Sequence, residues 1–374
     1  MSPHTVTLRF TTTPGLEDIV ELDLRERLAA APTAGRSTAD HAFDEIELRP
    51  QGLDGHVLLH STRPFEELRR VAFGLRSCFH VIRHVAFLPI AKVDPLETLT
   101  EDLAELAIDE MEKAKRFRVT SQRTGEHEFG SMDAQRVAGA ALVERYGTAV
   151  DLEHFDTEVR VDAMGDTWLI GVQLTRDSLD KRYPWVYRPR VTLRTTVAYG
   201  MLRLAGIAPA PDDAAPNSGP TVLDPFCGSG TILIEAADIH PGIRCFGVDR
   251  EPEAVEGAIA NARAAGVDAR IEVREGDARD IAAAYPVGSV DALVTNPPFG
   301  VRLGRRVNFT DLYRKLLAGA AQVVRPEGRI VVLVGKRRHA FNRAVRETGA
   351  VRIVTVRVIE IGGVYPAVFV LERS

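Results

Sequence analysis

The sequence predicts an α/β protein whose second half is a Rossmann-type domain, a mostly parallel sheet with helices on both faces, preceded by two smaller α+β units. Three observations predict it. From Thr221 onward, apolar β-branched runs alternate with helical patterns, which is the periodicity of parallel strands joined by helices. A turn bearing Gly228 and Gly230 falls where the first of those strands meets the first helix. The 374 residues also exceed what one ordinary domain holds.

The elements come in order along the chain. Thr5 to Phe10 alternates as a strand, and Thr13 with Pro14 opens a helix through about Ala30, a cap followed by a first-turn proline. Phe43 to Leu48 and His56 to Leu59 are strands around a turn at Gly52 to Gly55, completing a first unit over residues 1–63. The second unit, 64–180, has helices at Pro64 to Phe73 and Pro95 to Lys113, a strand at Phe117 to Ser121 and a helix at Asp133 to Tyr146. Strands at Glu158 to Asp162 and Trp168 to Leu174 close it. The apolar helix Val191 to Ala205 belongs with the strands C-terminal to it, so the third unit spans 181–374, with a surface loop at Ile207 to Gly219. Its strands are Thr221 to Leu223, Arg244 to Val248, Arg270 to Arg274, Asp291 to Thr295 and Arg329 to Val334. Arg352 to Ile361 and Val368 to Glu372 then alternate around Gly362-Gly363 as a hairpin, placing an antiparallel strand at the edge of the sheet or inside it.

Composition narrows the function. With 45% hydrophobic and 26% charged residues, the chain buries a full core. Cys78, Cys227 and Cys245 lie far apart without C-x-x-C spacing, which argues against a zinc site, an iron-sulfur cluster or a disulfide framework, and no metal is expected. Met1 to Phe10 lacks the pattern of a signal peptide, and no apolar run approaches the roughly 18 residues of a membrane span, so a soluble, cytoplasmic protein is expected. A net charge of −5 opposes general affinity for phosphate. Local basic clusters oppose that trend, at Lys113, Lys115, Arg116 and Arg118, at Lys181, Arg182, Arg188, Arg190 and Arg194, at Arg302, Arg305 and Arg306, and at Lys336, Arg337 and Arg338. Each alone reads as a solvated face.

The glycine turn reads Asp224-Pro225-Phe226-Cys227-Gly228-Ser229-Gly230-Thr231. Glycines at a strand-to-helix turn let the backbone approach a ligand, in the crevice at the strand ends of an open α/β sheet. Asp249 closes the next strand, where a carboxylate can hold a ribose diol, with Arg250 beside it; Asp249 also stands where it can cap a helix starting at Pro252. Gly276-Asp277-Ala278 comes after the third strand and reads as a turn; only a family resemblance makes it an adenine-side contact. Cys227 reads as a small packing residue rather than a nucleophile.

Asn296-Pro297-Pro298-Phe299 directly succeeds the strand Asp291 to Thr295 and is the most informative string. An exocyclic base amine is a poor nucleophile because its lone pair is delocalised into the ring. The Asn296 side-chain carbonyl and the Pro297 main-chain carbonyl can each accept one amine hydrogen, turning the lone pair toward a methyl donor. The two prolines hold these acceptors rigid, and Phe299 can stack on the base.

With these residues in place, the turn resembles the first motif of S-adenosylmethionine-dependent methyltransferases that modify base amines. The terminal hairpin is a feature of class I methyltransferases and not of simple dehydrogenases. The whole chain resembles the tRNA guanine-N2 methyltransferases acting at position six of the acceptor stem. That resemblance runs from Pro14-Gly15-Leu16-Glu17-Asp18 through Phe117-Arg118-Val119, Arg123-Thr124-Gly125-Glu126-His127 and Gly171-Val172-Gln173-Leu174-Thr175 to Gly362-Gly363-Val364-Tyr365-Pro366. It implies a ferredoxin-like domain, a THUMP domain and a methyltransferase domain, with S-adenosyl-L-methionine as cofactor, tRNA gripped by its 3′ end, and a monomer. It also implies Arg118 and Arg123 as RNA contacts, and Thr195 and Thr196 near the methionine end of the cofactor. Arg302, Arg305 and Arg306, just past the catalytic loop, are placed to hold substrate phosphates. Rival readings keep the chemistry on another tRNA position, ribosomal RNA or DNA, or make the chain an inactive RNA-binding protein or, more remotely, a dehydrogenase.

Overall fold

Alternation in Val6–Thr11 puts Leu8 and Phe10 on one face of a strand, β1, and buries both completely. The computed structural model describes residues 5–31, 43–190, 192–211, 213–298 and 308–374. Its residues fall into two units, Met1–Thr12 with Val20–Leu179 and Thr13–Ile19 with Asp180–Ser374.

In the first unit β1 is followed by α1 (Glu17–Ala30), which joins this unit only from Val20, then by β2 (Asp44–Leu48), β3 (His56–Ser61), α2 (Phe65–Phe73), β4 (His80–Pro89) and α3 (Pro95–Glu105). Then come β5 (Arg116–Thr120), β6 (Arg123–Thr124), α4 (Ser131–Tyr146), β7 (Ala149–Val150), β8 (Thr157–Met164) and β9 (Thr167–Gln173). They form one sheet in the order β2-β3-β1-β4-β9-β8-β5-β7, with β6 beside β8. One core gathers Leu8, Phe10, Val20, Leu24, Leu59 and Leu68; a second gathers Leu99, Leu103, Phe117, Leu142, Val161 and Trp168.

The central strand β4 is not among those expected from sequence. Its register slips between His84 and Ala86, and such a bulge resets the period of two by which a strand is read. Val81 accordingly packs in the first core while Val85, Ala86 and Leu88 pack against the second. The helix expected over Pro95 to Lys113 stops at Glu105, where Leu106 turns extended, and no Gly or Pro marks the stop.

Nor does α1 begin at Pro14. Gly15 has φ +92 and its N–H donates to both oxygens of the Glu17 carboxylate at 3.0 and 3.1 Å, so Thr13-Pro14-Gly15 is a turn that precedes the helix. A Cβ at Gly15 would lie 2.3 Å from the Val358 carbonyl oxygen. Gly15→Ala therefore combines left-handed backbone strain with a backbone clash, and is expected to cost about 1–3 kcal/mol of stability by urea unfolding.

The second unit begins with α5 (Thr195–Leu204), which starts at Thr195 rather than Val191 because Arg194 is extended. It continues through β10 (Thr221–Asp224), α6 (Thr231–Ile239), β11 (Arg244–Asp249), α7 (Pro252–Ala264), β12 (Ile271–Glu275), α8 (Ile281–Ala284) and β13 (Val290–Thr295). The last elements are α9 (Phe309–Val323), β14 (Val324–Val334), α10 (Arg338–Thr348), β15 (Val351–Val358) and β16 (Ala367–Arg373).

The sheet order is β12-β11-β10-β13-β14-β16-β15. The first five strands are parallel, and β16 lies antiparallel between β14 and β15, so the predicted antiparallel strand is an interior one. Neighbouring residues feed opposite faces: Val222, Ala292 and Val331 enter one core, Leu223, Leu293 and Val332 the other. Burial on both faces is what the continuous apolar runs encode. Strand order reverses between β10 and β13, and the crevice beyond their carboxyl ends is where ligands bind in such sheets.

Candidate active site

Both informative strings sit at that switch point. Asp224 ends β10 and Thr295 ends β13; the Thr295 hydroxyl donates to Asp224 Oδ1 at 2.6 Å, and the Phe226 N–H donates to the same oxygen at 3.1 Å. The carboxyl is fully buried. Burial pushes its pKa up to about 7 and the Asp249 charge adds to the rise, while the Thr295 and Phe226 hydrogen bonds hold it down. Beyond it, buried Pro225 leads into Gly228 and Gly230 at φ +51 and +81, a backbone that carries the turn into α6. Ser229 and Thr231 are buried and bond each other through their hydroxyls at 3.0 Å. Cys227 is buried and burial raises its thiol well above the usual range, which suits packing rather than nucleophilic attack.

The raised carboxyl makes stability depend on pH. The native state keeps the Asp224 proton up to about pH 7, whereas the unfolded chain releases it near pH 4. The unfolded state thus binds fewer protons in that window, and this group lowers stability as pH rises by roughly 1.4 kcal/mol per unit. His56 and His84, both held neutral by burial with pKa lowered to about 3, act oppositely: their contribution is lost as pH falls below about 6.5. Only a difference between variant and parent isolates the carboxyl. Asp224→Asn is expected to gain stability relative to the parent as pH rises from 4 to 7, read by ligand-free thermal melts. A difference constant across that range would show that the carboxyl is not desolvated.

Asp249 accepts two backbone hydrogen bonds, one on each carboxylate oxygen. Its Oδ1 accepts from the Glu251 N–H at 3.1 Å, ahead of α7, and its Oδ2 accepts from the Gly228 N–H at 3.0 Å, which fixes the carboxylate against the glycine turn. It stays half-buried. Arg250 beside it is exposed and pairs with Glu251 at 3.0 Å. Asp277 caps the short turn Ala278–Asp280 through the Arg279 N–H, and the Arg279 guanidinium holds its carboxyl below the usual range; Ala278 is buried.

Asn296 and Pro297 extend straight from β13, Asn296 half-buried and Pro297 buried, with Pro298 half-buried after them. The Asn296 Oδ1 is buried and has no hydrogen-bond partner among the described residues. A buried amide oxygen left without a donor costs about 1–3 kcal/mol. Thr196 Oγ1 is likewise buried and unpartnered among the described residues, whereas Thr195 Oγ1 donates to the Asp180 carbonyl at 2.8 Å and accepts from Arg182. Phe299, Arg302, Arg305 and Arg306 lie outside the described residues.

This geometry coincides with sequence kinship. Residues 186–367 match a family described as RMKL-like, methyltransferase domain, and residues 91–173 match the THUMP domain. Across 98% of this chain and 99% of the relative, the sequence is 37% identical to the tRNA (guanine(6)-N2)-methyltransferase of Thermus thermophilus. The chain belongs to the tRNA (guanine(6)-N2)-methyltransferase family. A member from Archaeoglobus fulgidus is 33% identical over 69% of this chain and 70% of its own length. The crystal structure of TrmN from Thermus thermophilus superposes with a TM-score of 0.75 at 35% identity, covering 99% of this chain and all (100%) of that one.

Within the family's THUMP segment, the two arginines singled out from sequence differ in availability. Arg118 pairs with Glu158 at 2.6 Å and lies over the Phe155 ring at 4.0 Å, while exposed Arg123 donates only to the Gly125 carbonyl at 3.2 Å among the described residues. Two contributors to the turn escape a reading of the sequence: Thr295, whose hydroxyl bonds Asp224, and Asn261, whose Nδ2 donates to the Ser229 carbonyl at 3.0 Å. Nothing in their local sequence distinguishes them; only the fold brings them to the turn. Among the described residues no group of His, Cys, Asp and Glu is arranged to hold a metal, and no helix is long and apolar enough to cross a membrane.

Proposed function

We infer that this protein is a tRNA guanine-N2 methyltransferase that uses S-adenosyl-L-methionine and forms N2-methylguanosine at position six of the acceptor stem. The observation that carries the chemistry is the unpartnered, buried Asn296 Oδ1 at the end of β13, beside the glycine turn at the switch point of the sheet. The names of two relatives, matching over 98% and 69% of the chain, support the substrate.

Asp224 through Thr231 and Asp249 with Arg250 would hold the cofactor, with Asp277 and Ala278 on the adenine side and Thr195 and Thr196 toward the methionine end. The fit rests on the unpartnered Thr196 oxygen and on the open side of Gly228, where a Cβ would meet nothing within 4 Å. When bound, S-adenosylmethionine supplies an electrophilic methyl group. Asn296 Oδ1 and the Pro297 carbonyl accept the two hydrogens of the guanine amine and so turn its lone pair out of the ring. The amine proton would become acidic as the N–C bond forms and the sulfonium S–C bond breaks to leave S-adenosylhomocysteine, and would leave to solvent, so the residues supply alignment rather than a strong base. Phe299 stacks on the base.

A guanine in a paired stem must leave the stack to reach this crevice, at a cost of a few kcal/mol. Binding energy from elsewhere on the tRNA offsets it. Residues 64–180 act as the RNA-gripping THUMP domain, with 1–63 as a ferredoxin-like domain and 181–374 as the catalytic domain. Arg118 and Arg123 contact the 3′ end, and Arg302, Arg305 and Arg306 hold phosphates near the target. The enzyme acts as a monomer in the cytoplasm.

The test is methyl transfer from labelled S-adenosylmethionine to unmodified tRNA transcripts, with nucleoside analysis and mapping. N2-methylguanosine at position six is expected. Label at another guanine would overturn the position, and label on ribosomal RNA alone would overturn the substrate.

A further inference from the structure

The segment just ahead of α5 is fastened to the glycine turn by one buried side chain. Asn261, in the third turn of α7 and 1% exposed, accepts at Oδ1 from the Val186 and Tyr187 N–H groups at 2.9 and 2.8 Å. Its Nδ2 donates to the Tyr187 carbonyl at 2.9 Å and to the Ser229 carbonyl of the glycine turn at 3.0 Å. Both amide hydrogens and two acceptor positions are thereby used, three of the four bonds on residues 186 and 187 and the fourth on the turn.

One helical turn earlier, Gly257 makes room for the Tyr187 ring: a Cβ there would fall 2.2 Å from Tyr187 Cδ1 and 2.3 Å from Cγ. The ring therefore lies directly on the α7 backbone. Its phenol is held above the usual range by burial first, then by the charges of Glu253 and Asp249.

We propose that Tyr187 forms the outer wall of the nucleoside half of the cofactor pocket, against a purine nucleoside whose free ribose diol is held by Asp249, and that Asn261 is the positioning residue that locks this wall to the glycine turn. The proposal rests on the reading of Asp249 as the ribose carboxylate. Segment 183–187 then works as a clasp: Tyr183 anchors its start through hydrogen bonds to Glu235 and Asp238 at 2.9 and 3.0 Å, and Asn261 anchors its end.

The test uses the full chain, with S-adenosylhomocysteine as the calorimetric probe alongside tRNA affinity and steady-state kinetics. Tyr187→Ala is expected to weaken S-adenosylhomocysteine about tenfold, within the range for loss of an aromatic stacked on a base. It should raise KM for S-adenosylmethionine similarly, change kcat far less and leave tRNA affinity intact. Gly257→Ala, which displaces the ring, should weaken S-adenosylhomocysteine comparably, and adding it to Tyr187→Ala should cost nothing more. Unchanged S-adenosylhomocysteine affinity in Tyr187→Ala overturns the proposal, as does equal loss of nucleoside and tRNA binding, or full additivity of the two substitutions. If the parent binds S-adenosylhomocysteine but Asp249→Ala binds it equally well, the ribose reading fails and takes the proposal with it; if the parent binds none, the cofactor reading itself fails.

Discussion

Replacing Asn296 by alanine is expected to lower kcat for methyl transfer by about 10²- to 10³-fold, the scale for losing one preorganised electrostatic partner of a transition state. Cofactor affinity should change little. The reason lies in the geometry: Asn296 Oδ1 is buried and makes no hydrogen bond to the described protein, so its removal leaves no donor orphaned and no strand untied. The strand end is secured instead by Thr295 on Asp224. Asn296→Asp is the sharper companion, because it keeps the acceptor oxygen and loses the amide. Single-turnover kinetics with saturating tRNA and cofactor measure the effect, and calorimetry with S-adenosylhomocysteine checks the pocket. Near-normal turnover of Asn296→Ala would refute the amine-orienting role.

Asp249→Ala should act on the other term. A carboxylate aligned by two backbone N–H groups and bonded to a ribose diol contributes charge-assisted hydrogen bonds, so its loss should weaken S-adenosylmethionine about 10- to 100-fold. At saturating cofactor kcat should largely recover, since Asp249 touches no reacting atom. Part of the loss will come through the turn, because the Gly228 N–H loses its acceptor as well. Asp249→Asn separates the two, since its amide oxygen can still accept from Gly228 while the charge is gone. A fall in kcat without a change in KM for either variant would move Asp249 from the cofactor to the chemistry.

Much of this site is legible without the structure because it is local in sequence. The string 224–231 and the string 296–298 each adjoin the end of a strand, and the alternation that marks β10 and β13 also fixes where they end. The family resemblance read from Pro14 to Pro366 agrees with a relative 37% identical over 98% of the chain. The parts that sequence leaves hidden depend on positions far apart. Asn261 is an unremarked polar residue in an amphipathic helix until the fold carries Val186, Tyr187 and Ser229 to it. Thr295 reads as an ordinary strand residue until β13 settles beside β10. Strand β4 is hidden for a different reason: a bulge after His84 breaks the very periodicity by which strands are found. The helix start expected at Pro14 is misplaced because Gly15 answers to a contact with Val358, a constraint invisible along the chain.

That same contact bears on the order in which the protein can be built. Residues 13–19 belong to the same unit as the final strands: the Glu360 N–H donates to the Pro14 carbonyl at 3.1 Å, Leu16 and Ile19 sit in a core with Ile359, and Arg357 pairs with Asp18 across a sequence separation of 339. A ribosome delivers Asp18 339 residues ahead of Arg357. At about 5–20 residues per second, Leu16 waits tens of seconds for its neighbours. Its flanking strand β1 meanwhile finds partners in β3 and β4. Translation thus sets a schedule in which this unit closes only once residues 357–360 have emerged, on a segment synthesised 339 residues earlier.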